Sequence, residues 1–342
     1  MTRKSDDETQ GTVSQPPQSP NGTGQSDVLI FVDSTQKETS AFRHAQKVAC
    51  AFHGNVVIAH VMSEAASHNG PIDPVDWNLQ KQKKMKWLTD LSETFQANGQ
   101  PCEVKLLEGA CVGQISALMD QRHRDITAAI RSRISLGWQI SEAACGVLEA
   151  RSAAILMIPE DAALAKDQHY RRIMVPLDGS ARAEAALPMA TVLANAEGAE
   201  LLLCYVMPDP GLTEFGVKDP EAERLHDLVV KRNKQAGDIH LTRVKNTLAH
   251  NGLKISTRIL QGGDARRALL DFATQEAVDF LVMATHGQSG HSDVATGDVA
   301  RFILDRADIP VLMVRHSRGR NHAHAFGKTL SNGVRQPTGT DG

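Results

Sequence analysis

Aromatic residues are scarce, at 4% of a chain that is 41% hydrophobic, so its cores must be built from Ala, Leu, Val and Ile. The five cysteines, Cys50, Cys102, Cys111, Cys145 and Cys204, are odd in number and contain no CxxC pair. A disulfide framework and a paired-cysteine zinc or redox motif are thereby excluded, and the thiols read as free in a reducing compartment. No apolar run approaches the roughly 18 residues of a membrane span, and the first residues are polar rather than signal-like. Cytoplasmic placement without a membrane partner is therefore expected. A formal charge of −3 gives no electrostatic case for nucleic acid as the main partner.

The 342 residues suffice for two domains of about 150 residues each. Residues 1–26 are rich in Ser, Thr, Gln, Gly and Pro and cannot bury enough surface to fold, so they read as a disordered leader. Residues 317–342 read as a basic disordered tail, with Arg318, Arg320, Lys328 and Arg335 set against Asp341. His322 and His324 in that tail lack the third and fourth ligands that a metal site needs.

Between the tails the sequence repeats itself. Val28–Asp33 matches Ile173–Asp178, each a short apolar run ending in an acid. Val56–Met62 matches Leu201–Met207, and Leu106–Gly109 matches Ile259–Gly262. Ile126–Ile130 parallels Phe280–Met283, and Ile155–Ile158 parallels Val311–Val314. Amphipathic helical stretches separate these runs. Short, almost wholly apolar strands divided by helices are what a parallel sheet covered on both faces requires. The expected fold is two tandem doubly wound α/β domains, 27–160 and 171–316, joined by a linker at 161–170. Each is a five-stranded parallel sheet of order 3-2-1-4-5 with helices on both faces. Ligands in such sheets bind beyond the carboxyl ends of the strands where the order reverses, between strands one and four.

In the second half that crevice is framed by Asp178-Gly179-Ser180 and the loop from Ala284 to Asp298, which carries Gly287, Gly290 and Gly297. Glycines let backbone N–H groups approach phosphate oxygens, and a following helix N-terminus adds donors and a favourable dipole. Glycine spacing alone fits a surface loop equally well. Asp178 is a turn former or a ligand contact, and His286 a phosphate contact or a solvated side chain.

The order of elements, the Asp-Gly-Ser turn and this loop together resemble the universal stress protein family, along nearly the whole second half. ATP-binding members of that family have a loop of Gly, two residues, Gly, nine residues, Gly, then Ser or Thr, opposite a strand-one aspartate. Here the spacing is intact, but Ala284 stands at the first glycine and Asp298 at the terminal Ser/Thr, with Gly287 and Gly297 between them. The resemblance implies ATP or a related adenine nucleotide, with Asp178 near adenine or ribose. It places Val206 and Met283 beside the base, Pro176 in the matching strand, and Gly287, Gly297 and the Asp298–Val299 backbone at the phosphates. A carboxylate at Asp298 repels phosphate, so either Mg2+ bridges the two or Asp298 caps its own helix.

The corresponding stretch of the first half, Arg131 to Glu142, keeps Gly137 but inserts Ile134, Leu136 and Trp138. Phosphate cradling is lost there. That half reads as a degenerate copy whose role is structural, pairing with the second through the terminal strands as family members commonly do between chains. Arg131 and Arg133 hold an anion or are exposed and solvated. The Lys81, Lys83, Lys84 and Lys86 run is a solvated helix face opposite Met85, Leu88, Leu91 and Phe95.

The expected function is that of a nucleotide-binding stress or signalling protein, with intramolecular pairing of the halves, further homodimerisation open and its protein partners unidentified. The alternative is a ligand-free scaffold. No Walker lysine, nucleophile elbow or HExxH pattern supports rapid turnover. A phosphoacceptor role for Asp178 fails because that residue ends strand one.

Overall fold

A computed structural model describes residues 26–32, 40–63, 73–97, 99–121, 126–134, 137–139, 146–147, 154–164, 168–208, 220–249, 252–261, 263–287 and 297–315. Leader residues 1–25, the tail with its histidines, Asp33 and loop residues 288–296 lie outside them, whereas Ser26, expected in the disordered leader, is buried and donates its N–H to Phe52 O.

The first half runs β1 (Val28–Phe31), α1 (Ser40–Ala51), β2 (Val56–Met62), α2 (Pro74–Gln96), β3 (Cys102–Glu108), α3 (Cys111–Gln121), β4 (Ile126–Ile134), β5 (Gly137–Gln139) and β6 (Ala154–Pro159). The second runs β7 (Arg172–Leu177), α4 (Ala181–Glu184), α5 (Leu187–Glu197), β8 (Glu200–Met207), α6 (Pro220–Leu248), β9 (Ile255–Gln261), α7 (Ala265–Gln275), β10 (Phe280–Ala284), α8 (Asp298–Arg306) and β11 (Val311–Val314). One sheet holds both halves, in the order β3-β2-β1-β4-β6-β11-β10-β7-β8-β9. Each half therefore has strand order 3-2-1-4-5. They join where β6 and β11 pair antiparallel, from Val311–Met157 to Val314–Ala154.

Helices cover both faces. Leu88, Leu241, Leu193 and Val48 bury one face of the sheet, carrying α2, α6, α5 and α1 with them. Ile115, Leu269 and Ile303 bury the other through α3, α7 and α8. Every residue of β6 and of β11 is buried, so separating the halves would expose two apolar strands and their unpaired backbone.

The segment read as a linker is packed instead. Ala162, Leu164 and Tyr170 are buried. α1 grips the strap: the Arg43 guanidinium donates to Leu164 O at 2.7 Å, and Ser40 hydroxyl donates to Ala162 O. Glu197 of α5 accepts from Lys47 of α1 at 3.0 Å and from Tyr170 N–H at 3.1 Å. A chain crossing between halves at the level of the core must satisfy its own backbone, and these side chains do so.

Three further expectations are corrected. Arg131 is buried, at 2% exposure, and its guanidinium donates to Ala307 O, the residue that ends α8. The last carbonyls of a helix lack intrahelical partners and carry the negative end of its dipole, which suits a buried cation. The stretch expected to be a failed loop in the first half extends β4 and turns back as β5, pairing Arg133 with Trp138 and Ile134 with Gly137. In α2, Leu88, Leu91 and Phe95 are buried while Met85 is 40% exposed, because the core lies under the later turns and the first turns reach only the end of β3, where Trp77 and Lys81 donate to Glu108.

Candidate functional site

At the centre of the second half β7 and β10 run side by side, but their ladder is short. Their register stops at Met174–Leu281, although β10 continues beside β11 to Ala284–Val314. Pro176 supplies the cause. Arg172 O accepts from Asp279 N–H, on the β10 side of β7. Alternate residues of a parallel strand bond the same neighbour, so the next positions facing β10 are Met174 and Pro176, and Pro176 has no N–H to give. In the first half Phe31 stands at this position, and the ladder runs on to Phe31–Ala129.

Asp178 follows β7 beyond the point where this ladder stops. Its Oδ1 accepts from Ser180 N–H at 2.9 Å and from the Ser180 hydroxyl at 2.6 Å, across Gly179 at φ +85°. Ser180 in turn caps α4, its oxygen accepting from Ala183 N–H. The carboxylate is thus aimed by its own turn. From the other strand, Gly287 comes so close that an added Cβ would lie 2.2 Å from Asp178 Oδ2. Counting along strand four from the shared register, Arg133 occupies this position in the first half. There β4 continues into its pairing with β5.

The loop closes on itself at its far end. Gly297 N–H donates to Thr285 O at 2.9 Å, and a Cβ on Gly297 would meet that oxygen at 3.3 Å. Buried Thr285 also lies 3.1 Å from His286 Nδ1 through its hydroxyl. Gly297 is the N-cap of α8, with extended backbone at φ −68° and ψ 159° and no side-chain cap bond. Asp298 therefore does not cap the helix; it is the first helical residue, with an exposed side chain. Glycine suits this cap because a Cβ would crowd Thr285 O.

Of the other expected residues, Met283 and Ala284 are buried at the end of β10, and Val206 and Val299 are half-buried in the same apolar layer. Pro176 is half-buried in β7. Asp178, Gly287 and the Thr285–Gly297 closure thus meet at one crevice, with Met283, Ala284 and Val299 in the elements that frame it. Three contributors were not singled out from the sequence. Ser180 orients Asp178, and its signal is the hydroxyl two residues after the acid. Tyr205 is half-buried against Gly237 of α6, and burial together with the Asp178 charge pushes its phenol up. Arg266 at the start of α7 pairs with Asp264 at 2.9 Å, lies 5.4 Å from the Phe302 ring of α8, and is held charged by Asp264 first and by Asp298 as well.

The fold is that of a doubly wound α/β protein, with Asp178 and Gly287 brought together at the switch point of its second half. The model of the universal stress protein family matches residues 169–315. Universal stress protein MJ0531 of Methanocaldococcus jannaschii is 32% identical over 149 residues, covering 43% of this chain and 82% of that protein. Universal stress protein YxiE of Bacillus subtilis is 27% identical over 148 residues, covering 43% and 99%. The chain belongs to the universal stress protein family. A crystal structure of a universal stress protein from Archaeoglobus fulgidus superposes with a TM-score of 0.60 at 17% identity, covering 85% of this chain and 97% of that one. That likeness extends the fold over both halves. Among the described residues no helix is long and apolar enough to cross a membrane.

Proposed function

We propose that the second half binds ATP or a related adenine nucleotide in the crevice between β7 and β10, and that the chain acts as a stress-response or signalling protein through the nucleotide-bound form. The observation that carries this reading is the approach of Gly287 to Asp178, which sets backbone without a side chain against an aimed carboxylate. Asp178 accepts from adenine or ribose, and Val206 and Met283 flank the base. The N–H groups of Gly287, Asp298 and Val299 face the phosphates, the last two at the N-terminus of α8, while Gly297, whose N–H goes to Thr285 O, contributes by its lack of a side chain. Pro176 and Ala284 shape the opening.

Asp298 sets the metal requirement. An exposed carboxylate at the first turn opposes a polyphosphate, and Mg2+ suits the pair because it accepts one or two carboxylates together with phosphate oxygens. Calorimetric titration with ATP, with and without Mg2+, tests the reading. One site per chain is expected, tighter with Mg2+ and abolished by Gly287→Val. The proposed role is binding without rapid turnover, so phosphate release at enzymatic rates during the titration would overturn that part.

A second reading, a ligand-free scaffold, is favoured by the same Asp298, which stands where the family resemblance expects a hydroxyl. It requires no heat of binding and no thermal shift at millimolar ATP.

A further inference from the structure

α7 and α8 cover the same face of the sheet and begin on the same side of it. α7 follows β9 and α8 follows β10, so both helix N-termini stand at the carboxyl ends of the strands, where the crevice is. Between β9 and β10 in the sheet lie β8 and β7, and α7 crosses them to arrive beside α8.

The first turn of α7 carries a guanidinium across to α8. Asp264 caps α7, accepting from Arg266 N–H at 3.0 Å, and the same carboxylate takes the Arg266 side chain through both oxygens, from Nε at 2.9 Å and from an Nη at 3.2 Å. Both side chains are exposed, and exposed ion pairs are weak, so this one is readily exchanged for another. On the α8 side the Phe302 ring lies 5.4 Å from the same guanidinium, and Arg306 covers that ring at 4.2 Å. Asp298, Phe302 and Arg306 follow one another at intervals of four and share one face of α8. Asp298 heads that face, in the turn whose N–H groups are assigned to the phosphates. Arg266 therefore flanks the phosphate end of the crevice, while Asp178 stands at the end assigned to adenine and ribose.

A polyphosphate arriving there changes the balance around Arg266, which now sits between the carboxylates of Asp264 and Asp298, both of which favour its charge. A triphosphate carries more negative charge than the single carboxylate it would replace. Its oxygens also suit the planar fork that the guanidinium already presents to Asp264.

We propose that Arg266 leaves Asp264 and pairs with the outermost phosphate of the bound nucleotide, which makes the crevice selective for a nucleoside triphosphate over a monophosphate. The inference rests on the reading that an adenine nucleotide occupies the crevice with its phosphates at α8. Asp264 is the resting partner of Arg266 and competes with the ligand for it. The phosphate of a monophosphate lies next to the ribose, at the Asp178 end, and does not reach Arg266.

Calorimetric titration of the full chain with ATP, ADP and AMP, all with Mg2+, tests the inference, with circular dichroism confirming the fold of each variant. The wild type is expected to bind ATP most tightly and AMP least. Arg266→Gln should weaken ATP by at least about tenfold, the loss expected for one hydrogen bond to a charged group, and close most of the gap to AMP. Asp264→Asn keeps a good cap for α7 but loosens its hold on the guanidinium, so ATP should bind several-fold tighter, and only while Arg266 is present. An Arg266→Gln protein that binds ATP like wild type, equal weakening of ATP and AMP, or an Asp264→Asn protein that binds ATP no more tightly than wild type would overturn this inference and leave the nucleotide reading standing. A wild type that binds none of the three nucleotides overturns both.

Discussion

His44 Nδ1 and the Tyr170 hydroxyl meet at 2.7 Å inside the joint between the two halves. The Ala162 carbonyl lies 3.4 Å from His44 Nε2 and can only accept, which leaves Nδ1 to accept from the Tyr170 O–H. Burial, opposed by that carbonyl and reinforced by Lys47, pulls His44 down from 6.5 to about 4. The folded protein thus keeps His44 neutral where the unfolded chain protonates it. Stability should be full above pH 6.5 and fall by up to about 3 kcal/mol as pH drops towards 4. Urea unfolding at pH 7 and pH 4.5 measures the loss, and His44→Gln should flatten the slope over that window.

Gly287→Ala should destabilise the second half by about 1–3 kcal/mol, because its Cβ would overlap the Asp178 carboxylate. Adding Asp178→Ala should recover much of that loss in thermal unfolding without recovering nucleotide binding. Equal losses in the single and double variants would show that the two residues are not coupled.

Replacing Arg131 by Met removes the group that caps the end of α8 while keeping most of the side-chain volume. A loss of about 1–3 kcal/mol is expected from the freed Ala307 carbonyl. Because the opposite end of α8 borders the crevice, hydrogen exchange should quicken along Asp298–Arg306 more than along α7.

Asp298→Ser restores the residue that the family resemblance expects after the third glycine. ATP binding without Mg2+ should strengthen, and the difference between titrations with and without Mg2+ should shrink. An unchanged Mg2+ dependence would remove Asp298 from the metal's surroundings.

The sheet was readable because each strand is a short apolar run and the runs recur in the same order in both halves. The crevice was readable because Asp178 and the glycines occupy the ends of the two strands that the topology makes neighbours. Arg131 was not, because its partner Ala307 lies in the other half and no local pattern announces a cation that caps a distant helix. Asp298 misled for a different reason: Gly and Asp are both good N-caps, and only the backbone angles at Gly297 and its bond to Thr285 decide between them. The β4–β5 hairpin escaped notice because the sequence between its strands lacks the Asn-Gly type of turn that marks a tight hairpin.

A seam between two identical chains binds both sides to one sequence, since any change appears twice and must fit itself. The β6–β11 seam lies within a single chain, and its two sides vary independently. One half can therefore discard its glycine loop, grow a hairpin in its place and lend an arginine to its neighbour, while the other keeps a glycine against Asp178. Joining the copies gave the protein a front and a back.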